Sequence, residues 1–253
     1  MRLGRGVLLA LLVLACFLTV YRGNPLNAQA QRYAQSIATT AAATYVTLRS
    51  LNAFLSTAQE VEVGVAFIAQ GTAQPLKVLE PIDDTVERIA SLIFAVMVAT
   101  GVLAVSLGPV SSIGWALFAV AMALALIQRR GTATNFLALY GVFFGLGLPF
   151  ALVLSSTLSA VLTEATYQEN LTTLQDITRA VDGADVLQEA GPGLAEYRAL
   201  AASVWSRADE LISALIAILS VYVFRIFVMP LLLVGGLFLL IRRLALADPF
   251  RSG

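Results

Sequence analysis

Apolar residues along this chain gather into five runs, at about 6–21, 89–107, 113–128, 134–162 and 211–241. Each approaches or exceeds the roughly 18 residues of a membrane-crossing helix. Between the runs the pattern changes by segment. Residues 30–58 hold no Gly or Pro, and Ile37, Ala41, Thr44, Leu48, Leu51 and Leu55 recur at steps of four and three. That spacing predicts a helix with one buried stripe. Thr44 is its one polar member, and its hydroxyl can bond back to a carbonyl of the preceding turn. From Glu60 the period falls to two, with Val61, Val63, Val65 and Phe67 alternating ahead of Gln70-Gly71-Thr72-Ala73, then Leu76, Val78 and Glu80. This predicts a small β-hairpin. Pro81 with Asp83, Asp84 and Glu87 suits a helix start. Gly108-Pro109 reads as the stop of that helix, and residues 164–182 and 194–209 as a helical hairpin.

Five crossings from a cytoplasmic amino terminus would put Arg129-Arg130 and Arg242-Arg243 outside, against the bias of basic residues toward the cytoplasm. Four crossings repair this. The inside segments, with Arg2, Arg5, Arg129, Arg130, Arg242, Arg243 and Arg251 against Asp248, are then net +6, and the outside segment 164–210 is net −6. One run must fail to cross, and 89–107 is the candidate, buried outside the membrane or re-entrant. Counting about 20 residues back from Arg242 and forward from Thr134 leaves apolar stretches 211–220 and 155–162 beyond the bilayer. The expected fold is an all-α integral membrane protein with about four transmembrane helices. Two of them project beyond the bilayer, alongside an extracytoplasmic helical domain and the hairpin. Its segments are a signal or signal-anchor at 1–21, extracytoplasmic helices and hairpin at 22–112, a transmembrane hairpin at 113–154, an extracytoplasmic helical hairpin at 155–221, a transmembrane helix at 222–243 and a cytoplasmic tail at 244–253.

Composition sharpens this. Over 253 residues, 58% are hydrophobic and 13% charged, sixteen bases balance sixteen acids, His is absent and Cys16 is the one cysteine. No global field attracts nucleic acid, and a disulfide framework, a Cys/His metal site and a His-based triad are excluded. The bases are Arg except Lys77, and Ala is abundant, as in a GC-rich bacterial genome. The expected location is the bacterial inner membrane, with both termini cytoplasmic.

No residue pattern predicts catalysis, a cofactor or a metal. Cys16, after Val13-Leu14-Ala15, loosely fits a lipidation site, against retention of the first segment as an anchor or its cleavage after Ala30. Arg225 is the ionisable residue within a span, a snorkelling anchor or a pore-wall charge. Gly141 and Gly145 form a Gly-xxx-Gly pattern, with Gly147 and Pro149 following, and Pro230 weakens the last helix. The pattern predicts close packing between the third apolar span and the last, against a gating hinge or a seam between copies of the chain. The expected function is a scaffold or accessory subunit working through its extracytoplasmic helices. The alternative is a homo-oligomeric channel or transporter with Arg225 near the permeation path. The expected partners are the lipid bilayer and other membrane proteins or further copies of this chain, not nucleic acid.

Overall fold

The computed structural model describes residues 24–69, 80–127, 131–182 and 194–246, with Val7, Leu11, Val13 and Leu14 of the first apolar run. Side chains are described at those four positions and over 24–58, 80–127, 131–179 and 199–243. The helices are α1 (Pro25–Ala69), α2 (Glu80–Leu126), α3 (Thr132–Val142), α4 (Leu148–Asp182), α5 (Leu194–Ser206), α6 (Ala208–Val223) and α7 (Met229–Leu246). Two π-helical turns, π1 (Phe143–Gly147) and π2 (Phe224–Val228), join α3 to α4 and α6 to α7. Three helical stretches, Glu80–Leu126, Thr132–Arg179 and Ala208–Arg243, are long and apolar enough to cross a membrane.

Two local readings are corrected. The alternating segment from Glu60 lies in α1, which stays helical through Ala69, and no strand occurs among the described residues. Alternation over seven residues also puts Val61 and Val65 on one helical face. Extending a helix that is already formed costs little, whereas an isolated hairpin is marginal. The proposed turn and most of the second strand lie outside the described residues. Gly108-Pro109 likewise does not stop α2, which continues to Leu126 as a helix of 47 residues. Pro109 removes one donor, but ending a helix among apolar groups would orphan several. The runs 89–107 and 113–126 therefore belong to one helix.

By packing, the chain divides into two units. The first takes Met1–Ile37, Ala99–Val161 and Phe224–Gly253. Its core joins Ala30 of α1, Leu107 of α2 and Leu152 of α4, flanked by Leu103, Leu148 and Val153. The charged side chains described in this unit are Arg32, Arg225, Arg242 and Arg243. Large apolar side chains on its surface are common, among them Val105, Val161 and Leu231 at 77%, 80% and 74% exposure, as a lipid-facing surface requires.

The second unit takes Ala38–Val98 and Leu162–Val223. Here the α1 stripe is satisfied: Ala41, Thr44, Leu48, Leu51 and Leu55 are all buried, as is Ile37 just outside the unit. Val86, Ile93, Leu174, Leu211, Leu215 and Ile218 complete this core. Thr44 donates to the Thr40 carbonyl at 3.0 Å. With its one hydrogen spent, its Oγ1 accepts from the Tyr222 hydroxyl at 2.9 Å, and Tyr222 in turn accepts from Tyr167 at 3.2 Å. The stripe's polar member thus ends a directed chain of buried hydroxyls. Ser56 donates to Asp83 at 3.2 Å, tying the first turn of α2 to α1.

Candidate functional site: two proline-opened helices

Both π turns stand directly before a Leu-Pro or Met-Pro step, and proline is their cause. Pro149 has no N–H for the carbonyl four residues back, Gly145, and its ring crowds that oxygen. The helix widens instead, so that the Leu148 N–H reaches back five residues to the Phe143 carbonyl. At π2, Pro230 cannot donate to the Ile226 carbonyl four residues back, nor to the Arg225 carbonyl five residues back. Each opening leaves a backbone acceptor that needs a donor from elsewhere in a water-poor setting.

Side chains from other helices supply these donors. Gly145 O accepts from Ser111 Oγ at 3.2 Å and, more weakly, from Asn24 Nδ2 at 3.5 Å. The same Asn24 caps α1, its Oδ1 accepting the Leu26 N–H at 3.0 Å. Arg225 O accepts from the Tyr33 hydroxyl at 2.8 Å. With its hydrogen so used, Tyr33 accepts from Ser159 Oγ at 3.1 Å, and Ser159 points more loosely at the Ser156 carbonyl at 3.4 Å. Ser155 stands beside the same phenol, fully buried, yet its Oγ makes no hydrogen bond of ordinary geometry. Helix α1 therefore supplies a donor at both openings, nine residues apart.

Glycines hold π1 in place. A Cβ on Gly114 would stand 2.6 Å from the Phe144 carbonyl carbon, and one on Gly141 would stand 2.7 Å from the Phe118 Cα. Gly141 and Gly145 thus face α2, not the last helix as the sequence suggested. Gly147 is the one that meets α7, at Leu237 and Ile241. The physical reason is the antiparallel α2–α3 pairing, in which Gly114 supplies the missing third small residue. Phe143 packs edge-on against Phe238 with ring centroids 5.3 Å apart.

The structure brings Arg225, Pro230 and the serines of α4 together at one opening, and Gly141, Gly145, Gly147 and Pro149 at the other. Arg225 is half-buried, and it is the main chain of this residue that binds Tyr33. Glu210 is held by Arg207 through two bonds of 2.8 and 2.9 Å. Cys16 lies outside the described residues. Sequence reasoning missed Asn24, Tyr33, Ser111 and Gly114. Asn24-Pro25 was a readable helix-start signature, whereas nothing local marked Tyr33. The chain matches no known family, and neither a curated protein nor a solved structure is similar to it.

Proposed function

We propose that this protein is a multi-pass bacterial inner-membrane scaffold or accessory subunit, non-catalytic, that engages other membrane proteins through its second unit. The observation behind this reading is how charge divides between the units. The four described charged side chains of the first unit are all arginines, while the second sets Glu80, Asp83, Asp84, Glu87, Glu164, Glu169, Asp176, Asp209 and Glu210 against Arg49, Arg88, Arg179 and Arg207, an excess of acids. An acid-rich unit with its own buried core suits the extracytoplasmic side, where acids meet no bias against them. It also exposes large apolar side chains, Trp205 at 47% and Ile216 at 52%, of the kind that anchor protein contacts.

Photo-crosslinkers placed in living cells at Trp205 and Ile216 should trap other membrane proteins, and the same probe at the exposed α7 residue Leu231 should not. Ion flux through liposomes holding only the purified chain, inverted in selectivity by Arg225→Glu, would overturn the scaffold in favour of a channel.

A further inference from the structure

We propose that π2 is a latched hinge: the Tyr33 hydroxyl holds the Arg225 carbonyl in the arrangement seen here and passes to Ser155 when α7 bends away at Pro230. Four observations carry this. Pro230 takes away the local donors, so closure of π2 depends on a group 192 residues distant in the chain. The Tyr33 phenol has one hydrogen, and the structure spends it on Arg225 O at 2.8 Å. The alternative acceptor is already present, because Ser155 Oγ lies buried beside that phenol, interacting with it but without a hydrogen bond of ordinary geometry. Such a group is costly to leave unmade, which stabilises any state that uses it.

The fourth observation is an asymmetry between the two openings. π1 is pinned by two donors and by the backbone contact of Gly114 with Gly145. α7 below π2 is held by side chains alone, Leu237 and Ile241 against Gly147 and Phe238 against Phe143. Gly235 and Gly236 have nothing within 4 Å of where a Cβ would sit, and Leu231, Leu232, Leu239 and Leu240 are more than half exposed. Bending at Pro230 meets lipid where bending at Pro149 would meet backbone. Two arrangements of one hydroxyl, each with a partner, make the element bistable.

Hydrogen–deuterium exchange on the full chain in lipid nanodiscs tests this, read over residues 226–231 at every amide but that of Pro230, which has none, and, as a reference, at 143–148. Tyr33→Phe removes the latch and should raise exchange at 226–231 by about tenfold, the worth of one hydrogen bond. Ser155→Ala removes the acceptor of the bent state and should slow exchange at the same amides. Neither variant should change 143–148. The proposal is overturned if Tyr33→Phe leaves 226–231 unchanged or raises both segments alike, or if Ser155→Ala accelerates exchange. Should Tyr33→Phe fail to fold, Ser155→Ala decides alone: slower exchange supports the hinge, and unchanged exchange sinks it.

Discussion

A methyl group added at Gly114 would meet the Phe144 carbonyl carbon at 2.6 Å and the Gly145 Cα at 2.8 Å, and both obstacles are backbone. Side chains can rotate aside, but a packed helix must shift as a whole, which typically costs about 1–3 kcal/mol. At Gly235 the same methyl meets nothing within 4 Å. There the gain in helix propensity, about 0.5–1 kcal/mol, stands unopposed. Gly114→Ala should therefore lower the thermal midpoint in detergent, and Gly235→Ala should leave it unchanged or raise it. Equal losses in both variants would contradict the close approach of α2 to π1. From sequence alone these glycines look alike, each lying in an apolar run. Gly141 and Gly145 drew notice by their spacing, but the spacing carries no information about which helix they face.

Among whole elements, the α1 stripe was legible because its period is that of a helix and its members are apolar or able to satisfy themselves. Thr44 does bond back to the preceding turn, as its position in the stripe implied. The segment from Glu60 misled because seven alternating residues fit a strand and a helix equally, and the continuing helix upstream decides between them. Gly108-Pro109 misled for a different reason. A proline that would end a solvated helix is carried through an apolar one, since stopping would expose more backbone than it relieves. The hydroxyl chain of the second unit offers a test at this scale. Tyr222 both donates and accepts, so Tyr222→Phe deletes two bonds and should cost about 1–3 kcal/mol, whereas Tyr167→Phe deletes one of them and should cost about 1 kcal/mol. Combining the two should add little to Tyr222→Phe alone. Chemical denaturation of the three variants gives the order. A larger loss for Tyr167→Phe would contradict the place of Tyr222 at the centre of the chain.

For the molecule in its membrane, the orientation we propose rests on the basic residues and on the register of the helices together. Arg225 and Arg242 lie seventeen residues apart on one helical course, about 26 Å at the helical rise. With both guanidinium groups reaching outward, that interval fits a hydrocarbon core of about 30 Å. Counting from Thr134 had placed that residue level with Arg243. The structure sets Phe143 against Phe238, and Gly147 against Leu237 and Ile241, so the start of α3 at Thr132 reaches further than Arg243 does. This stagger was invisible in the sequence because it arises from packing between helices far apart in the chain. It bears on the depth of each crossing in the topology we propose. Joining 89–107 to 113–126 in one helix merges two of the five apolar runs, so that the described residues hold three helical stretches long and apolar enough to cross a membrane. In the topology we propose, Arg129-Arg130 and Arg242-Arg243 fall on one side, as their charge favours. Topology reporters inserted at Gly131, at Gly183 and at the carboxyl terminus should report cytoplasm, periplasm and cytoplasm, in that order. A periplasmic signal at Gly131, or the same side for Gly131 and Gly183, would break the four-crossing arrangement. It would also leave two arginine pairs on the side where they are least expected.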